Sequence, residues 1–253
     1  MKKYLFLFIC VSLFYATTSA QNEDSSKIKT LDPEPKSSIF LDGSLNTDLI
    51  FFWKKKANKE HWSASRFTFI NLDGLQDATI KQSKSYAFSL TAVEFLHAFN
   101  EHWLLVSGGE LEWARYHFKG DIGLQGKSDI THFAPAPEGV SYKSSKLLAY
   151  YVNIPLVLEY QKKIGKKHTF FVDGGLEAQI KYYAKSQVDI RTPQGIEKTS
   201  LGRDLNFSPI NARIVLQVGI NDFGIFGYYQ PFSLFEKGKG PDVRSFGIGI
   251  SLN

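Results

Sequence analysis

The segment LAYYVNIPLVLEYQ, residues 148–161, decides how the rest of the chain is read. Its even positions are Leu148, Tyr150, Val152, Ile154, Leu156, Leu158 and Tyr160, whereas Asn153, Glu159 and Gln161 share the odd face. Successive side chains of a strand point to opposite faces, so this period of two predicts a β-strand with one apolar and one polar side. The alternation returns at 170–182, with Asp173, Glu177, Gln179 and Lys181 on the odd face, and at 210–220, with Asn211, Arg213 and Gln217. A soluble sandwich would show the same period, and the aromatic residues discriminate. Trp103 and Trp113 share a face ten residues apart, as do Tyr150 and Tyr160, and Phe170 and Tyr182 lie twelve apart. Ten residues at about 3.3 Å each, tilted by about 45°, climb about 24 Å. That matches the apolar band, about 25 Å tall and flanked by aromatic girdles, of barrels that cross membranes.

Working outward, strands are expected at 38–50, 86–97, 103–118, 146–161, 168–184, 207–220, 223–234 and 243–252. The connections after the second, fourth and sixth are short, and the others are long and carry Pro135, Pro137, Pro193, Gly195 and the Gly238–Pro241 turn. Tight turns on one rim and long loops on the other predict a closed antiparallel transmembrane β-barrel of about eight strands, with short periplasmic turns and longer extracellular loops. Residues 65–72 could form another strand, but one extra strand would break the even count, so they are read as structure within the first long loop. Ten strands is the alternative. Between 86 and 97 either face could be the outer one, because Glu94 interrupts the more apolar side.

Lys2 and Lys3, the apolar run Leu5 to Tyr15 and the small residues Thr18, Ser19 and Ala20 read as a secretory leader spanning 1–20. The polar segment 21–37, with Pro33 and Pro35, is expected to be a periplasmic lead-in, and 38–253 the barrel domain. Cys10 lies within the leader, leaving the mature chain without disulfides or thiolate metal ligands. Removing the leader lowers the formal charge from +5 to +3, with 28 Lys and Arg against 25 Asp and Glu, too small an excess to suggest nucleic acid.

The polar faces predict a lumen rich in carboxylates: Asp42, Glu110, Glu112, Glu159, Asp173 and Glu177, with Lys181 and Arg213 as their basic partners. A barrel of about eight strands is filled by side chains, so these groups are expected to form a structural polar plug rather than line a pore. Trp103, Trp113, Tyr150, Tyr160, Phe170 and Tyr182 are expected at the membrane interfaces. Nucleophile-elbow, zinc-protease, P-loop and dinucleotide motifs are absent, and no cofactor or metal is expected. In the first long loop, Phe51, Phe52 and Trp53 run into Lys54, Lys55, Lys56 and Lys59. Rings at a lipid boundary with lysines beyond suit phosphate-bearing headgroups, such as those of outer-membrane lipid and lipopolysaccharide.

The run YVNIPLVLEY, residues 151–160, resembles a strand of the PorT-like outer-membrane β-barrel family. YYQPFSL at 228–234, GKG at 238–240 and RSFGIGISL at 244–252 are similar to that family's last hairpin. The resemblance implies a Gram-negative outer-membrane location and recognition by barrel-assembly machinery. One branch of the family assists a protein-secretion system, but no residue here assigns the chain to that branch; a secretion-system or surface protein is one expected class of partner. Many members end in an aromatic residue, whereas this chain ends Leu252-Asn253.

The expected role is that of a non-enzymatic binding, structural or secretion-accessory component acting through its outer loops. The alternative is a lipid-modifying enzyme of the acyl hydrolase type, with His117 or His132 as its base. A narrow solute channel ranks third.

Overall fold

The computed structural model describes residues 65–75, 79–127 and 130–252. Eleven strands occur among them: β1 (Ser65–Asp73), β2 (Tyr86–Ala98), β3 (Trp103–Phe118), β4 (Ile122–Lys127), β5 (Ile130–Pro135), β6 (Tyr142–Ile164), β7 (His168–Thr192), β8 (Gly195–Arg203), β9 (Ile210–Ile220), β10 (Phe223–Tyr229) and β11 (Arg244–Leu252). Eight of them run antiparallel in the order β6-β3-β2-β1-β11-β10-β9-β7, and β7 pairs back onto β6, so the sheet closes on itself. Closure leaves no open sheet edge in the ring, the condition for a strand structure in a medium without water.

The geometry of the ring follows from its register. Following paired residues round from Gln161 leads through Phe171, Gly219, Gly224, Ser251, Arg66, Ser89 and Glu112 back to β6 at Tyr151, ten residues from the start. With strands about 4.7 Å apart, that stagger tilts them by about 40° to the barrel axis. Leu156, Leu176, Ile214, Leu216, Ile225 and Ile248 point outward and are exposed, while Asn153, Glu159, Asp173, Glu177, Arg213 and Gln217 point inward and are buried. An exposed apolar belt of this extent is far beyond what a water-soluble surface carries.

Four parts of the ring differ from the sequence expectation. Its first described strand is β1, the segment assigned to a loop on parity. Phe67 and Phe69 point outward from it, while Arg66 and Thr68 are buried inside. The expected strand at 38–50 lies outside the described residues, and the described ring holds eight strands rather than ten. β2 uses both of its candidate faces, because its pairing with β3 slips between Thr91 and Val93. One extra residue reverses the phase, so Ser89 and Glu94 can both turn inward. β10 stops at Tyr229, before Pro231, which has no N–H to give a ladder. On the long-loop rim β6 and β7 run past the ring, where β7 also pairs with β8, and β4 with β5 forms a separate hairpin. Both lie in segments read as loops.

Leu156 sits between Tyr150 and Tyr160 on the outward face of β6. Leu156→Arg is expected to cost about 2–4 kcal/mol in urea unfolding from lipid vesicles, whereas Tyr182→Arg, beside the outer girdle, costs about 0–1 kcal/mol. Equal costs at the two positions would contradict the depth of the belt.

Candidate functional site

Two features stand out, a charge lattice inside the barrel and a built platform on its long-loop rim. The lattice is organised by two arginines. Arg213 on β9 donates from Nη2 to Glu112 Oε2 at 2.6 Å and from Nη1 to Glu112 Oε1 at 3.2 Å, and from Nε to Glu177 Oε1 at 2.5 Å. Arg66 on β1 pairs with Glu110 and reaches Glu177 Oε2 at 3.0 Å. Glu177 therefore bridges the two cations. Glu112 also accepts from Ser89 Oγ and Asn153 Nδ2, each at 3.2 Å, and from Gln179 Nε2 at 3.1 Å.

Aromatic faces complete both arginine environments. Phe226 lies 4.2 Å from the Arg66 guanidinium and Tyr228 lies 4.4 Å from that of Arg213. The hydroxyls of Tyr116 and Tyr228 meet Ser245 Oγ at 3.0 and 2.8 Å. Arg66, Arg213, Glu110 and Glu177 are 2% exposed or less, so each charge depends on its partners rather than on water.

Of the expected interior residues, Glu110, Glu112, Glu177 and Arg213 meet in this lattice. Glu159 and Asp173 face each other across the β6–β7 ladder, nearer the short-turn rim, and both are fully buried. Lys181, expected among the interior acids, instead pairs with Asp204 and donates to Phe207 O at 2.9 Å, because β7 carries it to the mouth of the barrel. Asp42 lies outside the described residues. Arg66 is not among the expected interior residues, although Phe67 and Phe69 around Thr68 carry the alternation that places it.

The aromatic residues fall into two tiers. Trp103 packs on Tyr160 at 5.0 Å on the short-turn side, with Phe170 on the same rim. Trp113 opposes Tyr150 across β3 and β6, which stacks on Tyr183 at 5.4 Å. Tyr183 takes the place expected of Tyr182, because the β6–β7 register slips there and leaves Tyr182 as the extra residue, 80% exposed.

The platform is made by three long connections that interlock. In β5, Thr131 N donates to Lys239 O at 2.8 Å and Thr131 Oγ1 to Leu205 O at 2.8 Å. Asn206 Nδ2 donates to Thr131 Oγ1 and to Lys239 O, both at 3.3 Å, and Glu236 N donates to Asn206 O at 2.9 Å. Phe207 and Phe235 meet edge to face at 4.7 Å, and Leu124, Leu205, Leu234 and Val243 are buried around them. Asp204, Leu205 and Asn206 hold φ of 66°, 50° and 50°, a conformation that L-residues adopt only when their surroundings impose it. A loop cluster with its own apolar core presents a fixed surface rather than a mobile fringe.

His117 and His132, the bases considered for a hydrolase, lie in β3 and β5. Neither ring hydrogen-bonds a serine among the described residues; Ser85 Oγ accepts from the backbone N–H of His117. Among the described residues no group of three or more His, Cys, Asp or Glu is placed to hold a metal ion.

Double-mutant cycles measured by unfolding in lipid vesicles test the lattice. Arg213→Ala is expected to cost about 3–5 kcal/mol by stranding buried carboxylates. Its coupling to Glu112→Gln is expected to exceed its coupling to Glu177→Gln, because Glu177 keeps Arg66 when Arg213 is lost. Coupling indistinguishable from zero in both cycles would contradict the lattice.

No protein-family model matches the chain, and no curated protein matches its sequence. Two crystal structures of Ail, the attachment invasion locus protein of Yersinia pestis, align with it at a TM-score of 0.32 and 14% and 12% identity. Each alignment covers 74% of this chain, with 94% and 93% of the Ail chains, and one of the two is a complex with the heparin analogue sucrose octasulfate.

Proposed function

We propose that this protein is a non-enzymatic outer-membrane β-barrel that works as a binding or accessory component through its long-loop platform. The observation that carries this reading is the interlocked core of Leu124, Leu205, Phe207, Leu234 and Phe235 above a lumen filled by Arg66, Arg213 and Phe226. A filled lumen disfavours solute passage, since about eight strands leave room only for side chains. An ordered rim, by contrast, is preorganised to bind, because its loops lose little freedom when a partner docks. The exposed apolar belt and its two aromatic tiers support insertion in a bilayer, and the leader at 1–20 supports export. The likeness of 151–160 and 228–252 to the PorT-like family favours a secretion-system or surface protein as the partner, and assembly by the barrel machinery.

The orientation puts the short turns in the periplasm and the platform outside. With Cys10 removed in the leader, single cysteines report it directly. Glu138→Cys, between β5 and β6, is expected to react on intact cells with a membrane-impermeant maleimide. Lys166→Cys, in the β6–β7 turn, is expected to react only after the outer membrane is opened. The protein should fractionate with outer membranes and migrate faster on a gel unheated than boiled. Recovery as a soluble periplasmic protein, or labelling of Lys166→Cys alone on intact cells, would overturn the reading.

A further inference from the structure

On the outer wall, beneath the β10–β11 connection, lies a groove of about 850 Å³. Its floor is Ala178 of β7 and Ala212 of β9, which are register partners, and its walls include Ile210 and Phe232. The groove is pinned open from both sides. Asn211 Nδ2 donates to Ser233 O at 2.8 Å, Ser208 N to Leu234 O at 2.9 Å and Leu234 N to Val243 O at 2.9 Å. It is thus formed before anything enters it.

Three observations bear on what fills it. The floor runs without a break into the exposed apolar belt at Leu176 and Ile214, the next outward residues on the same two strands. β9 carries no aromatic residue, so the tier formed by Trp113, Tyr150 and Tyr183 is interrupted at this point, and Phe232, 61% exposed, overhangs the gap. At the mouth, Glu236 and Asp242 are paired with Lys239 and Arg244, while Lys237 is exposed and has no ion-pair partner among the described residues. The groove therefore joins an apolar slot, continuous with the hydrocarbon-facing wall, to one cation at headgroup height.

We propose that this groove holds one phosphorylated lipid of the surrounding leaflet, its acyl chain over Ala178 and Ala212 and its phosphate at Lys237. The inference rests on the membrane reading above. A soluble anion would satisfy Lys237 but leave the slot empty, and a neutral lipid would fill the slot without engaging the lysine.

The test uses the full mature chain refolded into phosphatidylcholine bilayers containing equal minor fractions of phosphatidic acid and diacylglycerol, then released in mild detergent for native mass spectrometry. The unsubstituted protein is expected to retain one phosphatidic acid, and Lys237→Glu to retain it about fivefold less. Ala212→Phe, which fills the slot from outside the barrel wall, is expected to lose it, while inorganic phosphate alone is not retained. Equal retention by all three proteins, or equal retention of diacylglycerol and phosphatidic acid, would overturn the site. The same samples are run unheated and boiled on a gel. Failure to insert and shift would refute the membrane reading itself, whereas normal insertion without selective retention refutes only the groove.

Discussion

A sheet surrounded by hydrocarbon has no water to satisfy its edges, and in this chain β1 supplies the closure by pairing with β11 from Ser65–Leu252 to Asp73–Arg244. The rest of the architecture depends on that seam. A stagger of ten residues over eight strands gives a ring too narrow for open water, so the inward side chains must pack against one another within it. Arg66 arrives with β1 and Arg213 with β9, and they meet the carboxylates of β3 and β7. The seam that closes the wall thus also delivers half of the positive charge on which the lattice relies. At the same seam Gly249 lets the two backbones approach, since a Cβ there would lie 2.0 Å from Phe67 O.

The lattice divides the interior unevenly. Glu110, Glu112 and Glu177 share two arginines, with Glu177 serving both, and the aromatic faces of Phe226 and Tyr228 shield them. Such an arrangement contributes less to net stability than its bond count suggests, because each ion was first stripped of water. Its stronger effect is on specificity. A strand slipped by one residue would turn Arg66 or Arg213 into the lipid and leave a buried carboxylate behind, so the charges select one register.

Much of the wall was legible in the sequence because period-two alternation reports directly which residues face out. The stretch 148–161, the ten-residue aromatic spacing and the order of short and long connections were enough for the barrel and for four of the lattice residues. What the sequence hid has physical causes. Single-residue bulges at β2 and β7 reverse the phase without any change of composition, which is why Glu94 looked misplaced and Tyr182 stood where Tyr183 belongs. β1 is lost to the parity argument, because counting 38–50 as the first strand already makes eight. Lys181 continues the inward face of β7, but whether an inward residue meets the lattice or the mouth depends on tilt, which sequence spacing does not carry. The platform was invisible because its core joins residues far apart in the chain, such as Leu124, Leu205 and Phe235.

The closing seam is the most direct point at which to test this account. With Cys10, the one cysteine of the sequence, replaced by serine, Phe69→Cys paired with Ile248→Cys introduces one possible bridge between register partners on β1 and β11. Antiparallel register partners place their Cα atoms about 4.5–5.5 Å apart, inside the range of about 4.4–6.8 Å that a disulfide spans. Oxidation of the assembled protein is expected to link this pair, and to leave Phe69→Cys with Phe246→Cys, displaced by two residues, unlinked. Linkage of the displaced pair instead, or of neither, would contradict a ring closed by β1 on β11.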